Sequence, residues 1–479
     1  MSESIIAKRS FTSDDIIWFA AASGDWNPVH VNSVHARRLL TGKQVVHGMF
    51  TLLWALEEYC SKSGEPMQSI AANFLQPVGV GDPLLLLKEE VELDCVRLVI
   101  RCKGDDVLTV LLTTGGKHTD ARPILDRPSR VSSENNTFSE LKHSAGNITV
   151  IALQEDLIHE FSHAEQVMGS MPIASLLTLS RLVGMKCPGL HSLYTGLDIN
   201  INHSKNASEI DWSVIRHSVS HAPLRLSIDG GCIAGHLDAF VRPAPVSQVD
   251  IEKIAEDVKP TIFNKQVALV VGGSRGLGEL TAKIVAAGGG HSVITYHQGN
   301  DDAERVKEEI IGWGGQCSVI QLDAEHPEAA IKNLNNMSLI PTHVYYFASP
   351  RIAMNKGDDF NLDLWRMFSS IFVEGFARVI NCVKETYGTN LAAFYPSTVY
   401  IDEQLQEFSE YISAKTAGEK LCAHMTKHIN GLQVLVKRLP RMPTDQTAGL
   451  IRLPTSEPLP WLLEVVTEMQ TSTIKETEL

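Results

Sequence analysis

Apolar strands alternate with helices through the last part of the chain, and this alternation limits the possible folds more than any other feature. The first run, at 267–271 (VALVV), is followed by a glycine-rich turn, an apolar helix and a second strand. Further apolar runs separated by helical segments lie at 317–322, 344–348, 391–397 and 432–438. Continuous apolar strands that alternate with helices are typical of a parallel sheet covered on both faces. The block 262–479 is therefore predicted to be an α/β doubly wound parallel sheet.

Two polar stretches that lack apolar periodicity, 126–147 and 242–260, interrupt the chain. The first is rich in Ser, Asn and charged residues, and the second has three prolines around an acidic centre. Such a composition is typical of linkers or domain edges. Three domains are therefore predicted, at 1–125, 148–243 and 262–479.

A strongly apolar helix precedes several strand-like runs in each of the first two blocks. In the first block the helix begins at 47–48, and the runs lie at 70–74, 84–91, 96–102 and 107–114. In the second block the helix covers 168–184, and the runs lie at 193–201, 214–219, 224–228 and 232–240. An apolar helix followed by a strand meander fits an α+β fold in which an antiparallel sheet wraps around the helix. The shared order indicates a duplicated fold.

The balance of charges and the cysteine pattern exclude several classes of function. Lys and Arg total 42 against 56 Asp and Glu, so the net charge of -14 has the wrong sign for binding nucleic acid or an anionic membrane surface. The eight cysteines form no C-x-x-C pair or Cys/His cluster, so neither a disulfide framework nor a metal site is expected. No secretory leader is recognisable, and no apolar run reaches the ~20 residues needed to cross a bilayer. We expect a soluble, cytoplasmic protein that acts on small molecules.

The glycine-rich turn at 272–278 (GGSRGLG) lies between a buried strand and a helix. In that context backbone amides can approach a pyrophosphate at the helix N-terminus, although a merely tight turn is the simpler alternative. The spacing resembles the T-G-x-x-x-G-x-G pattern of short-chain dehydrogenases/reductases, with Val271 in place of the usual Thr. The resemblance implies a Rossmann-like domain with cofactor contacts at Gly272, Ser274, Arg275, Gly276, Leu277, Gly278, Asp323, Tyr411, Lys415, Pro440 and Thr444.

The end of the second strand indicates which cofactor this domain binds. Tyr296 and His297 end that strand, so no carboxylate is available there to hold the ribose hydroxyls of NAD. The guanidinium of Arg275 can instead pair with the 2′-phosphate of NADP. NADP(H) is therefore the expected cofactor.

The same resemblance implies the catalytic residues of a carbonyl reductase. Tyr411 and Lys415 match the family's Y-x-x-x-K pair, and Ser397 ends the preceding strand. In this interpretation the phenol gives its proton to a carbonyl oxygen, Lys415 lowers the phenol pKa, and the serine positions the carbonyl. Two positions depart from the family: 346–349 (YFAS) replaces N-N-A-G, and Phe372 lies where a proton-relay Asn is usual. A slowed or inactive reductase therefore stays open.

Two motifs in the first block occur together at a specific spacing. The segments 19–30 (FAAASGDWNPVH) and 46–49 (VHGM) resemble the signatures of MaoC-like (R)-specific enoyl hydratases and dehydratases, which have a hotdog fold. The resemblance implies that Asp25 and His30 hold a water and supply an acid and a base. It also implies that the Gly48 amide stabilises an enolate-like oxygen. Which side chain delivers which proton is open; taken singly, the two would be interpreted as a turn carboxylate and a surface imidazole.

The second block resembles the same family without its catalytic motif. The segment 184–199 (GMKCPGLHSLYTGLDI) is similar to the family's P-G-x-x-S-x-Y passage, but no G-D-x-N-P-x-H sequence precedes the helix at 168–184. We therefore predict a non-catalytic half that pairs with the first half in a double hotdog with one site.

These resemblances imply a bifunctional enzyme. The predicted activities are dehydration or hydration of (R)-3-hydroxyacyl and enoyl thioesters, and NADPH-dependent reduction of 3-oxoacyl thioesters. The acyl group would be carried on coenzyme A or acyl carrier protein, and a homo-oligomer through the reductase domain is expected. Two alternatives stay open: a dehydratase with a degenerate, structural reductase domain, and a carrier-binding scaffold with neither activity.

Overall fold

The computed structural model of the chain describes residues 3–39, 42–92, 94–118, 128–137, 139–151, 155–202, 207–217, 223–352, 354–355, 357, 359–445, 447 and 454–474. Parts of the predicted features lie outside the described residues: 1–2, 40–41, 93 and 119–125 of the first domain, 126–127 and 138 of the first polar stretch, 152–154, 203–206 and 218–222 of the second domain, which include 218–219 of one strand, and 353, 356, 358, 446, 448–453 and 475–479 of the third domain. The chain divides into two compact units, Met1–Ala244 and Pro245–Leu479.

The first unit contains one ten-stranded antiparallel sheet among its described residues. Its strands are β1 (Ser4–Arg9), β2 (Met67–Phe74), β3 (Leu84–Glu92), β4 (Cys95–Cys102), β5 (Asp105–Thr114), β6 (Ala145–Thr149), β7 (Ser192–Ile201), β8 (Glu209–His217), β9 (Pro223–Gly230) and β10 (Ile233–Val241). The spatial order is β1-β3-β4-β5-β2-β7-β10-β9-β8-β6. The second five strands therefore repeat the order of the first five in the opposite direction along the sheet, and the two halves meet where β2 pairs with β7.

Seven helices accompany this sheet in the described residues. They are α1 (Ser13–Ser23), α2 (Pro28–Val31), α3 (Ser33–Arg37), α4 (Gly48–Ser63), α5 (Glu155–Glu160), α6 (Ser162–Met168) and α7 (Ser170–Arg181), and a π-helical turn, Leu182–Lys186, follows α7. The apolar helices α4 and α7 join the strands of both halves in one hydrophobic core. Because each sheet half is apolar on its helix-facing side, burying both helices in one core holds the halves together.

The two polar stretches carry local structure of their own. In the first, Glu134 pairs with the segment after α7: its N–H donates to the Met185 carbonyl, and its carbonyl accepts from the Leu190 N–H. In the second stretch a helix, α8 (Ile251–Asp257), buries Ile251 and Ile254 in the core of the second unit.

The second unit contains a six-stranded sheet in the order β13-β12-β11-β14-β15-β16, and its strand pairs are parallel. The strands are β11 (Val267–Val271), β12 (His291–Tyr296), β13 (Gln316–Gln321), β14 (His343–Tyr346), β15 (Leu391–Thr398) and β16 (Leu432–Leu439). The helices after α8 are α9 (Gly276–Ala287), α10 (Asn300–Trp313), α11 (Glu328–Asn336), α12 (Leu362–Ser369), α13 (Phe376–Tyr387), α14 (Tyr400–Glu403), α15 (Ser409–His428) and α16 (Pro458–Ile474). The predicted doubly wound parallel sheet is confirmed, with the strand order of dinucleotide-binding folds.

No single helix among the described residues is long and apolar enough to span a membrane, although one pair bent by 117°, Ser162–Met168 with Ser170–Lys186, meets the length and composition requirements together.

Candidate active sites

The first motif forms a sharp connection between two helices. Gly24 ends α1 with a φ of 73°, a left-handed conformation that glycine adopts without steric cost. Asn27 then caps α2 by accepting from the Val29 N–H at 3.1 Å, and Pro28 occupies the first position of that helix. The left-handed Gly24 and the capped start of α2 together place Asp25 and His30 close to each other, on either side of the Asn27 cap.

Asp25 is almost completely buried, with 3% of its surface exposed. Its Oδ2 accepts a hydrogen bond from the Ser180 hydroxyl at 2.8 Å, and its Oδ1 accepts from the Asn27 N–H at 3.3 Å. Burial raises the pKa of the Asp25 carboxyl to about 7, although both hydrogen bonds favour the ionised form. The carboxyl can therefore exchange a proton near neutral pH.

His30 presents one free ring nitrogen. Its Nδ1 lies 2.9 Å from the Val45 carbonyl oxygen, which can only accept, so Nδ1 carries the proton and Nε2 keeps a lone pair. Burial lowers the pKa of His30 to about 4, so the imidazole is neutral at physiological pH. A neutral imidazole with a free Nε2 is a competent proton acceptor.

His47 fixes the position of both groups. Its Nε2 donates to the Asp25 main-chain carbonyl at 3.0 Å, and its ring stacks on that of His30 with centroids 3.9 Å apart. Ligating atoms of Asp25, His30 and His47 all lie within 4.8 Å of one another. The structure therefore brings the two predicted catalytic side chains together, with His47 as an additional member of the group.

Gly48 begins α4, where the first backbone N–H groups have no partner within the helix. A Cβ at this position would lie 3.1 Å from the Phe74 ring, so a side chain would press against β2. The N-terminus of α4 therefore lies close to the sheet. Its Gly48 N–H directly follows His47, whose ring is hydrogen-bonded to the Asp25 carbonyl.

The second half of the first unit also contributes to this site. Gly184 lies directly against the Asp25 carboxyl, since a Cβ there would be 2.0 Å from Asp25 Oδ1. The Asn27 side chain donates to the carbonyl oxygens of Gly184 at 2.9 Å and Gly189 at 3.1 Å. The half predicted to lack catalytic residues thus supplies contacts to the catalytic motif.

In the second unit, the glycine turn has the form expected of a phosphate-binding loop. Gly272 and Gly276 have φ values of 80° and 58°, and a Cβ on Gly278 would lie 2.3 Å from the Gly272 carbonyl oxygen. Ser274 is buried within the turn, and Leu277 packs on the adjacent core. Only glycine allows this close approach between the turn and α9.

The remaining predicted cofactor residues lie around the same sheet edge. Asp323 follows β13, and its Oδ1 accepts from the Glu325 N–H at 3.0 Å. Pro440 follows β16, and the Thr444 methyl lies 3.7 Å from the position of a Cβ on Gly276. Arg275 forms an ion pair with the largely buried Asp445 at 3.4 Å. The turn and the segment after β16 are therefore adjacent.

Tyr411 and Lys415 lie together on α15 in an environment that differs from the prediction. The Lys415 ammonium donates to the Pro396 carbonyl at 2.7 Å and lies 3.9 Å from the centroid of the Phe372 ring. Burial lowers the pKa of Lys415 to about 7, and burial raises the pKa of the Tyr411 phenol above its ordinary value. The predicted lowering of the phenol pKa by Lys415 is therefore wrong in this structure, because desolvation of both groups dominates.

The predicted serine faces another partner. Ser397 donates to Glu419 at 2.6 Å, whereas the Tyr411 phenol is hydrogen-bonded to Thr398. Successive side chains of a strand point to opposite faces, so only one of two adjacent hydroxyls at the end of β15 can face the phenol. Thr398 therefore occupies the place expected for Ser397.

Comparison with known proteins agrees with the geometry of the first unit. The family model described as MaoC like domain matches residues 4–109. A 3-hydroxybutyryl-CoA dehydratase of Methylorubrum extorquens is 32% identical over 111 residues, which cover 22% of this chain and 71% of the relative. A mitochondrial 3-hydroxyacyl-[acyl-carrier-protein] dehydratase of Arabidopsis thaliana is 30% identical over 134 residues, 26% of this chain and 79% of the relative. The chain belongs to the MaoC-like family.

In the second unit of this MaoC-like chain, the family model described as short chain dehydrogenase matches residues 266–338. A 3-oxoacyl-[acyl-carrier-protein] reductase of Synechocystis sp. is 40% identical over 68 residues, which span 14% of this chain and only 28% of the relative. Among solved structures, a short chain dehydrogenase from Burkholderia cenocepacia in complex with NADP is 20% identical, with a TM-score of 0.40; the match covers 44% of this chain and 91% of that chain.

Two residues of these sites, Ser180 and Thr398, were not predicted from the sequence. Ser180 lies in an apolar stretch of α7, where a small hydroxyl residue is ordinary, so no local signal marked it. Thr398 directly follows the predicted Ser397, and both hydroxyls contact α15, so the sequence offered no signal for choosing between them.

Proposed function

We propose that the first unit catalyses the reversible addition of water to 2-enoyl thioesters, giving (R)-3-hydroxyacyl thioesters. The observation that supports this most is the pair formed by buried Asp25, with a pKa of about 7, and half-buried, neutral His30 with a free Nε2. Hydration needs a base for the water and an acid for the α-carbon, and these two groups have suitable protonation states at neutral pH. The names of the two dehydratase relatives, a 3-hydroxybutyryl-CoA dehydratase and a 3-hydroxyacyl-[acyl-carrier-protein] dehydratase, agree with this chemistry.

The proton states suggest a division of roles between the two groups. His30 Nε2 accepts a proton from water while the water oxygen bonds to C3, and protonated Asp25 gives its proton to C2. The negative charge that develops on the thioester oxygen is stabilised by the Gly48 N–H at the start of α4. Proton return from His30 to Asp25 restores the starting state, and the dehydration direction follows the same steps in reverse.

We infer that the first unit is a double hotdog with a single site. The mirrored strand order of its two halves supports duplication, and the Asp25 and His30 motif occurs in the first half alone. The second half then serves the site through its contacts with Asp25 and Asn27.

For the second unit we propose binding of NADP(H) and reduction of 3-oxoacyl thioesters. The cofactor fits the residues present, because the turn at Gly272, Gly276 and Gly278 leaves the backbone without side chains at its closest approaches. When bound, the nicotinamide would supply a hydride to the carbonyl carbon. Tyr411 would give its phenolic proton to the carbonyl oxygen, and Thr398 would orient the phenol.

A second candidate is a dehydratase whose reductase domain is structural. It is favoured by the contacts of the Lys415 ammonium, which donates to the Pro396 carbonyl and lies over the rings of Phe372 and Tyr395. A carrier-binding scaffold would have neither activity. Assays of crotonyl thioester hydration and of NADPH oxidation with acetoacetyl thioester, run separately, distinguish the three: both activities, hydration alone, or neither.

The acyl carrier and the assembly state are part of the same proposal. The dehydratase relatives are named for a coenzyme A thioester in one case and an acyl-carrier-protein thioester in the other, so either carrier is consistent with this chain. A panel of C4 to C12 enoyl thioesters on both carriers tests which is used. We also propose a homo-oligomer formed through the second unit, which light scattering of the full chain tests.

Cofactor preference gives a prediction for Arg275. NADPH is expected to bind more tightly than NADH, and Arg275→Ala to narrow that gap by ~1–3 kcal/mol, the range of a charge-assisted hydrogen bond to phosphate. Because Asp445 pairs with Arg275 and would compete with the phosphate, Asp445→Asn is expected to widen the gap. Fluorescence titration with both nucleotides measures the effect, with the exposed Arg366→Ala as a matched control. Equal affinities of the unmodified protein for NADPH and NADH would refute the proposal.

A further inference from the structure

Ser180 connects the non-catalytic half of the first unit to the catalytic carboxyl. It lies in the last turn of α7 with 4% of its surface exposed, and its hydroxyl donates to Asp25 Oδ2 at 2.8 Å. The two residues are separated by 155 positions in the chain, so the contact exists only because the two halves share one core.

The π-helical turn after α7 brings a second contact to the same carboxyl. Gly184 in that turn has no room for a Cβ, which would lie 2.0 Å from Asp25 Oδ1 and 2.7 Å from Oδ2. The Gly184 carbonyl accepts from the Asn27 side chain at 2.9 Å. A π-helical turn widens the helix locally and is often found at functional sites. In this chain the backbone of the π-helical turn packs against the Asp25 carboxyl at Gly184, while the Ser180 hydroxyl donates to Oδ2 of the same carboxyl.

We infer that Ser180 is a positioning residue for the hydration reaction, which holds the Asp25 carboxyl in one orientation and favours its ionised form. The inference rests on the proposed hydratase function. A serine hydroxyl can donate to a carboxylate and accept from a carboxylic acid, so the contact persists in both protonation states of Asp25. The second half of the fold therefore sets the proton affinity of a group that lies in the first half.

Other charged or titratable groups lie near the motif that contains Asp25 and His30. His30 approaches from α2, His47 from the start of α4, Arg181 follows Ser180 on α7, and Arg242 lies at the end of β10. The two imidazoles have lowered pKa values and are neutral at pH 7, and both arginines stay charged there. None of these four groups changes charge near pH 7, so a titration observed there reports Asp25.

Ser180→Ala tests the inference through the pH dependence of hydration. Loss of a hydrogen-bond donor to the ionised carboxylate raises the pKa of Asp25. The apparent pKa that reports Asp25 in the pH profile of kcat/KM should therefore shift to higher pH by about one unit. We expect kcat to fall by roughly tenfold, with KM changed less than kcat. Ser175→Ala is the matched control, because Ser175 is a buried serine on the same helix whose hydroxyl contacts Cys232 instead. Its pH profile should be unchanged.

Two further measurements make the outcome decisive. Ser180→Cys keeps a weak donor and a similar volume, so an intermediate pH shift is expected, and it replaces the alanine variant if that variant does not fold. Carbon-13 NMR titration of labelled aspartate in the full chain, assigned with Asp25→Asn, reads the carboxyl pKa without any turnover.

The failures of the two proposals are distinguishable. An unchanged carboxyl titration in Ser180→Ala, in a chain that hydrates crotonyl thioester, would overturn the positioning role and leave the hydratase function intact. An unmodified chain that hydrates no thioester would overturn both, whatever the titration shows.

Discussion

Replacement of Asp25 by Asn is expected to lower kcat for enoyl thioester hydration by roughly a hundredfold or more, the usual contribution of a positioned acid or base. The amide keeps the shape of the carboxyl. Its oxygen can accept from the Asn27 N–H and its NH2 group can donate to the Ser180 hydroxyl, so the fold around it should be retained. It cannot give or take a proton at neutral pH. NADPH oxidation should be unaffected, because the site proposed for reduction lies in the second unit.

The same substitution should make the chain more stable at neutral pH. Burial raises the Asp25 pKa from 3.8 to about 7, so the contribution of this group to stability is greatest below pH 4 and is lost as the pH rises to about 7. The uncharged amide of the Asp25→Asn variant carries no such cost. By linkage the difference is on the order of a few kcal/mol at pH 8, which corresponds to several degrees in Tm, and it should vanish near pH 4.

His30→Ala is the companion variant and should abolish hydration as well, since it removes the ring whose Nε2 is free. Calorimetry from pH 4 to 8 and hydration of crotonyl thioester provide the measurements. Asp105→Asn, an exposed aspartate at the start of β5, serves as the matched control with parental activity and stability. Hydratase activity retained in both Asp25→Asn and His30→Ala would contradict the assignment of this site.

Local sequence was sufficient for the parts of the fold that depend on local patterns. The doubly wound sheet followed from strand and helix alternation, because buried parallel strands must be apolar on both faces. The pair Asp25 and His30 followed from a motif that lies within one short connection. The helix predicted at 168–184 is shorter in the structure, since α7 ends at Arg181 and a π-helical turn continues it.

Contacts between distant segments could not be predicted in this way. The bond from Ser180 to Asp25 and the ion pair between Arg275 and Asp445 join residues 155 and 170 positions apart, so neither leaves a pattern in a sequence window. The pKa of the Tyr411 phenol was predicted to be lowered, whereas burial raises it, for a related reason. Desolvation of a group depends on every segment that covers it. The ring of Phe372, in the π-helical segment Ser370–Gly375 between α12 and α13, covers the ammonium of Lys415 on α15.

Tyr411→Phe is expected to eliminate reduction of acetoacetyl thioester while NADPH binding changes little. The ring keeps its contacts with Phe368 and Phe372, whereas the proton donor is lost. Tyr387→Phe is the matched control, since the Tyr387 hydroxyl donates to the Ile331 carbonyl, outside the predicted site. Single-turnover oxidation of NADPH separates the loss of chemistry from any loss of binding.

The burial of Tyr411 also predicts how the rates of reduction and of the reverse oxidation at this site would depend on pH. Because burial raises the phenol pKa, the phenol stays protonated through neutral and mildly alkaline pH, and this is the form that reduction consumes. Oxidation of a hydroxyacyl thioester needs the phenolate instead, so its rate should be negligible at pH 7 and rise with pH. The unmodified reduction rate should be modest, since Phe372 stands where a proton-relay Asn is usual. Chiral analysis of the product of acetoacetyl thioester reduction tests the link between the two activities. An (R) product would mean that both activities share one intermediate, and an (S) product would contradict that. No product on either carrier would indicate that the second unit is a structural domain.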